Sequence, residues 1–131
     1  MLIVMALPAN VRMLRPIRIL LASDDAPFVE RLVEAAAARS ISIDFTQAAE
    51  DIDVALARYG SNVYVLDTED ALPRGARSAT AFAALHPDIP VVLIADRAGS
   101  RTVAGLLLLE KWRSTDRLLG EIELAFLGLR P

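Results

Sequence analysis

Short apolar runs that end at charged residues are the feature that most constrains the fold of this chain. Three of them are residues 19–23 before Asp24 and Asp25, residues 63–66 before Asp67, and residues 106–110 before Lys111. Runs of this length, bounded by polar residues, are typical of buried parallel strands. Ligands of an open α/β sheet bind outside the carboxyl ends of its strands. These ends are therefore expected to bring three carboxylates and one ammonium group into a crevice suited to a divalent cation and a phosphoryl group.

Strand-like and helix-like segments alternate along the chain. The expected strands are residues 17–22, 41–45, 63–66, 91–94 and 106–110. The expected helices start at Asp25 or Ala26, cover residues 48–59 and 76–85, and run from Ser114 or Thr115 through Leu127. Residues 99–104 leave room for only a short fourth helix. This alternation predicts an α/β domain with a parallel sheet and helices on both faces.

Composition narrows the class of protein. The chain has 131 residues, the size of one domain, and its 54% hydrophobic content is enough for a sizeable core. It carries 14 basic and 17 acidic residues with no basic block, so no direct nucleic-acid binding by this segment is expected. It has no cysteine, which excludes disulfides and thiolate metal sites and is compatible with a reducing cytoplasm.

The N-terminal residues 1–8 are apolar, and Arg12 and Arg15 follow them. A secretory signal peptide has its basic residues before a longer apolar stretch. This segment is therefore expected to be an N-terminal extension that packs on the domain or on a neighbour. No segment reaches the about 20 apolar residues that a membrane-spanning helix needs, so no membrane partner is expected.

With these features the chain resembles the receiver domains of two-component response regulators, which include chemotaxis-regulator-like proteins. The resemblance is carried by Asp24 and Asp25, the strand-end Asp67, the stretch from His86 to Val92, and Lys111. It covers about residues 17–127 and implies a receiver domain over residues 17–131 after an extension at residues 1–16. It also implies a flavodoxin-like, doubly wound, five-stranded parallel sheet with strand order 2-1-3-4-5.

The resemblance further implies a phosphoryl switch rather than a conventional enzyme. Asp67 would accept the phosphoryl group from a histidine kinase or phosphotransfer protein, and the domain would at most catalyse its own phosphoryl transfer and hydrolysis. Asp24, Asp25 and Asp67, with the backbone carbonyl of Glu69, would hold Mg²⁺. Lys111 would pair with the phosphoryl oxygens. A cytoplasmic location fits such a signalling module.

Three residues depart from that family and imply an atypical member. Ala95 follows the fourth strand, where a Ser or Thr usually donates a hydrogen bond to the phosphoryl group. Leu108 stands three residues before the lysine, where a Tyr or Phe usually swings inward. Trp112 replaces the proline that usually follows the lysine. The step from Ala95 to Lys111 is shorter than usual by about one and a half helical turns, so a short, irregular or absent fourth helix is expected.

Two other functions stay open. The missing switch residues favour a phosphorylation-independent pseudo-receiver that acts as a dimerisation or docking module, and the apolar last helix is compatible with a homodimer. An unrelated flavodoxin-like enzyme or nucleotide binder is less favoured, because no glycine-rich phosphate loop follows a strand. His86 is the only histidine, so no histidine partner is available for a triad or a metal cluster.

Overall fold

Helices and strands alternate through the part of the chain that the computed structural model describes, residues 16–46, 51–69, 71–97, 101–112 and 114–128. The strands are β1 (Arg18–Ala22), β2 (Ser42–Thr46), β3 (Val63–Glu69), β4 (Val91–Ala95), β5 (Thr102–Val103) and β6 (Leu106–Glu110). The helices are α1 (Ala26–Ala37), α2 (Ile52–Tyr59), α3 (Leu72–Leu85) and α4 (Thr115–Phe126). The expected extension, residues 1–16, lies outside the described residues apart from Pro16.

The strands form one sheet in the order β2-β1-β3-β4-β6-β5. Neighbouring strands from β2 to β6 are parallel, and only β5 and β6 pair antiparallel. With β6 as the fifth expected strand, the order 2-1-3-4-5 and the doubly wound α/β fold are confirmed. The sixth, two-residue strand is the difference from the five-stranded expectation.

A β-hairpin, residues 102–110, begins in the segment where a short, irregular or absent helix was expected between β4 and β6. Thr102 pairs with Leu107 and Val103 with Leu106, and the turn residues Ala104 and Gly105 have φ of 52° and 80°. Two left-handed residues at the centre of a two-residue turn suit the twist of an antiparallel hairpin. A helix does not connect β4 to β6 because residues 96–105 are too few for a helical crossover, which takes a dozen or more residues. Residues 99 and 100 of the expected helix lie outside the described residues.

Most helix ends fall where their capping residues predict. Asp25 caps α1, Ser114 caps α4, and the left-handed Gly60 ends α2. The structure shows α2 from Ile52, and residues 48–50 of its expected first turn lie outside the described residues.

Helix α3 begins at Leu72, four residues before its expected start, so Pro73 and Gly75 belong to the helix and not to a loop. Proline is tolerated in a first turn because its missing N–H would have no helical partner there. Gly75 lies against the end of β3, where a Cβ atom would come within 2.3 Å of Thr68 Cγ2. The glycine therefore allows close packing of this helix on the sheet.

Two apolar cores lie on opposite faces of the sheet, because successive strand residues point to opposite sides. On β1, Ile19 and Leu21 belong to the core covered by α1 and α4, whereas Leu20 and Ala22 belong to the core covered by α2 and α3. Within the described residues, none of the helices has the length and apolar character needed to cross a membrane.

Candidate functional site

Four strands bring their polar end residues together at the carboxyl edge of the sheet. Ala22 of β1 is level with Leu66 of β3, so the next residues, Ser23 and Asp67, are also level. Ala95 of β4 is level with Glu110 of β6, and the Lys111 backbone N–H donates to the Ala95 carbonyl at 2.8 Å. The parallel register thus places Lys111 beside Asp67.

Lys111 is a buried cation at the centre of this cluster. Its Nζ atom lies 2.8 Å from Asp25 Oδ2, 2.8 Å from Asp67 Oδ2 and 3.7 Å from Asp96 Oδ1. Its side chain is 2% exposed. Burial alone would lower the pKa of Lys111, but the hydrogen bonds that it donates to Asp25 and Asp67 outweigh burial, so its pKa is raised. The ammonium group therefore stays charged.

Asp67 is fully buried, and both of its oxygens are hydrogen-bonded. Oδ2 accepts from Ser23 Oγ at 2.8 Å as well as from Lys111, and Oδ1 accepts from the Glu69 backbone N–H at 3.1 Å. A buried carboxylate requires such partners, because an unpaired charge in a protein interior is strongly unfavourable.

Asp25 links the site to helix α1. Its Oδ1 atom accepts from the Phe28 N–H at 3.2 Å, as an N-cap does, and its Oδ2 atom binds Lys111. The hydrogen bond from Lys111 holds the pKa of Asp25 below its usual value. Asp24 is exposed, and no direct contact joins it to Lys111 or Asp67 among the described residues.

Glu69 adopts an unusual backbone conformation at the end of β3. Its φ is 53°, and the pairing of β3 with β4 shifts register between Asp67 and Glu69. Its carbonyl, the expected metal ligand, accepts from the Asp96 N–H at 3.1 Å and retains one further lone pair. Burial, followed by the charge of Asp67, raises the pKa of the Glu69 carboxyl group.

The donor atoms at this edge have the chemistry that Mg²⁺ prefers, since hard carboxylate and carbonyl oxygens are its usual protein ligands. In the part of the chain that the structure describes, no three acidic or histidine side chains are arranged to hold a metal ion. The Lys111 ammonium group lies between the two best-placed carboxylates, those of Asp25 and Asp67. The metal role of Asp24, Asp25, Asp67 and Glu69 stays a prediction.

The atypical positions lie close to this edge. Ala95 ends β4 and is buried, with no hydroxyl to offer to the site. Leu108 is buried in the core beneath α2 and α3. Trp112 is 63% exposed, and Lys111 Nζ lies 5.8 Å from its ring centroid. His86 binds Asp53 at 2.7 Å and precedes β4, at the opposite end of the sheet.

Sequence reasoning missed two residues of this cluster. Ser23 directly follows β1, which ends at Ala22 as expected, and is level with Asp67, but its uncharged side chain gives no signal in the sequence. Asp96 directly follows the buried strand β4, and the same strand-end rule that selected Asp67 would have selected it.

Comparison with solved structures identifies the fold. An orphan response regulator of H. pylori matches at 17% identity and a TM-score of 0.68, over 84% of this chain and 96% of that one. An atypical orphan response regulator, described with a phosphorylation-independent regulatory mechanism, matches at 16% identity and a TM-score of 0.69, over 84% and 95%. A response regulator receiver protein of Sinorhizobium medicae matches at 21% identity and a TM-score of 0.67, over 86% and 96%.

No family model and no curated protein matches the sequence. The fold is nevertheless that of a response regulator receiver domain, as the sequence resemblance implied. Orphan and atypical regulators are among the proteins that share it.

Proposed function

We propose that this chain is an atypical receiver domain of a two-component or phosphorelay system, which accepts a phosphoryl group on Asp67. The observation that carries the proposal is the Lys111 ammonium group, held 2.8 Å from the Asp67 carboxylate at the carboxyl edge of a receiver fold. Phosphoryl transfer depends mainly on positioning and on neutralising the phosphoryl oxygens. A buried lysine beside a buried carboxylate supplies both.

The proposed reaction forms one bond and breaks one bond. An Asp67 carboxylate oxygen attacks the phosphorus of a phosphohistidine on a histidine kinase or phosphotransfer protein. The P–N bond breaks, its electrons return to the imidazole ring, and Asp67 becomes an acyl phosphate. Lys111 turns from the Asp67 oxygen to the phosphoryl oxygens.

Asp24, Asp25 and the Glu69 carbonyl are the residues proposed to hold Mg²⁺ together with Asp67. The cation would neutralise charge on the phosphoryl oxygens. The excess of carboxylates over ammonium groups at this edge supports that role, because like charges in one crevice favour a bound cation.

Intact-mass spectrometry after incubation with acetyl phosphate and Mg²⁺ tests this function. We expect one phosphoryl adduct on the native chain, loss of the adduct in Asp67→Asn, and no adduct when a chelator removes Mg²⁺. Asp44→Asn, on β2, is a charge-matched control that should keep the adduct. A native chain that stays unmodified, although folded, would contradict the proposal.

A phosphorylation-independent pseudo-receiver, acting as a dimerisation or docking module, is the second candidate. This candidate is favoured because the usual hydroxyl and aromatic switch residues are replaced by Ala95 and Leu108. The short strand β5 and its turn, in place of a helix between β4 and β6, favour it as well. A fold neighbour described with a phosphorylation-independent mechanism adds support. Sedimentation velocity of the native chain and Asp67→Asn separates the two functions: a dimer unaffected by acetyl phosphate or by the substitution favours the pseudo-receiver.

A further inference from the structure

We propose that Asp96 is an internal anion that competes with the phosphoryl group for Lys111 and so slows phosphorylation of Asp67. This inference rests on the proposed function of the site. It assigns a role to a carboxylate that the phosphoryl-transfer scheme does not use.

The backbone holds Asp96 at the site. It directly follows β4, and its N–H donates to the Glu69 carbonyl at 3.1 Å, across from the irregular end of β3. The end of β6 is fixed to the same place, because the Lys111 N–H donates to the carbonyl of Ala95, the residue before Asp96. The Asp96 side chain therefore starts from a fixed point beside Lys111.

The Asp96 carboxylate is incompletely satisfied. Its Oδ1 atom is shielded from solvent and has no hydrogen-bond partner among the described residues. Lys111 Nζ lies 3.7 Å away, within ion-pair distance but too far for a hydrogen bond. A buried acceptor without a donor is unfavourable. Asp96 therefore gains a hydrogen bond whenever Lys111 moves from Asp67 toward it.

The excess of negative charge around Lys111 disfavours a phosphoryl group on Asp67. One ammonium group already lies within 4 Å of three carboxylates, those of Asp25, Asp67 and Asp96. A phosphoryl group on Asp67 needs Lys111 as its cation and is repelled by the Asp96 charge. The Asp96 side chain is 41% exposed, so it has room to rotate toward or away from the lysine.

The test compares Asp96→Asn with the native chain and with Asp88→Asn. The amide keeps the shape of Asp96 and removes its charge, whereas Asp88 is an exposed residue of the turn before β4, at the other end of the sheet. We expect Asp96→Asn to be phosphorylated by acetyl phosphate and Mg²⁺ about tenfold faster, the effect of removing one nearby like charge. Asp88→Asn should keep the native rate. If the amide variant fails to fold, Asp96→Ser removes the same charge with a smaller side chain.

Equal rates for the native chain, Asp96→Asn and Asp88→Asn would overturn the role of Asp96 and leave the proposed function intact. If no chain forms an adduct, the proposed function fails. The role of Asp96 as an internal anion is then tested by the affinity for beryllofluoride, followed by Trp112 fluorescence. Trp112 suits this readout because its ring lies beside Lys111. Tighter binding by Asp96→Asn alone would support the internal anion, whereas equal or absent binding would overturn it.

Discussion

Ser23 shows how a single uncharged residue shapes the site. Its hydroxyl donates to Asp67 Oδ2 and accepts from the Asp25 N–H, so it joins the end of β1 to both carboxylate-bearing segments. A carboxylate in its place would bring a further negative charge level with Asp67. The hydroxyl holds Asp67 without adding to the charge that Lys111 must balance.

We expect Ser23→Ala to lower the free energy of unfolding by about 1–3 kcal/mol, because a buried carboxylate loses a donor and a backbone N–H loses its acceptor. Urea denaturation measures the change. Ser42→Ala, at an exposed site on β2, should stay within about 0.5 kcal/mol of the native value. Matching transitions for the two variants would show that the Ser23 bonds contribute nothing.

Lys111→Met leaves Asp67 buried without its cation and should lower the free energy of unfolding by about 3–5 kcal/mol near neutral pH. The raised pKa of Lys111 means that its contribution is present below about pH 10 and is lost as pH rises through the folded pKa. The lowered pKa of Asp25 means that its contribution is present above about pH 4 and is lost as pH falls through the folded pKa.

Denaturation at a series of pH values should therefore show the largest difference between native chain and Lys111→Met at intermediate pH. The two curves should approach each other in strong acid and strong base. A difference that stays constant from acid to base would indicate lost packing rather than a lost ion pair.

At the scale of elements, the hairpin of β5 and β6 is the main departure from the expected fold. Its turn requires a positive φ at Ala104, which costs a residue with a Cβ atom about 1–2 kcal/mol relative to the right-handed region. The short connection from β4 to β6 maintains this strain.

We expect Ala104→Gly to raise the free energy of unfolding by about 0.5 kcal/mol or more, the relief of strain less the greater freedom of glycine in the unfolded chain. The same exchange at the exposed α3 position, Ala84→Gly, should lower it by about 1 kcal/mol. Thermal and urea denaturation measure both. A loss of stability at residue 104 would contradict the left-handed turn.

The elements differ in how far sequence could predict them. The parallel strands and the meeting of Asp67 with Lys111 followed from apolar runs, since the carboxyl ends of parallel strands share one edge. The hairpin did not, because residues 99–104 show no alternation and only Ala104 and Gly105 hint at a turn. Ser23 was not predicted as a site residue, although the expected first strand ends at Ala22 as β1 does, because an uncharged side chain gives no signal beside Asp24 and Asp25.

At the scale of the whole molecule, the two faces of the sheet are unequally covered. The α1 and α4 face buries large side chains such as Phe28, Leu118 and Ile122. Arg39, two residues after the end of α1, binds Asp116 and Glu123 of α4. The opposite face is covered by the alanine-rich α3, the eight-residue α2 and the hairpin. A cavity of about 380 Å³ lies between the hairpin, α3 and α4.

Hydrogen exchange followed by mass spectrometry should reflect this inequality. We expect backbone amides of α2 and the hairpin to exchange faster than those of α1 and the central strands β1 and β3, because they lie over fewer buried apolar groups. Uniform protection across both faces would contradict this expectation.

The hairpin also determines where the sheet is open to other chains. An edge strand carries unpaired N–H and C=O groups that can pair with a further strand, and very short edge strands prevent this. One edge here is the two-residue β5, whereas the other is the five-residue β2, whose Phe45 is 58% exposed. Aggregation of partly unfolded chains by strand addition is therefore expected to begin at β2.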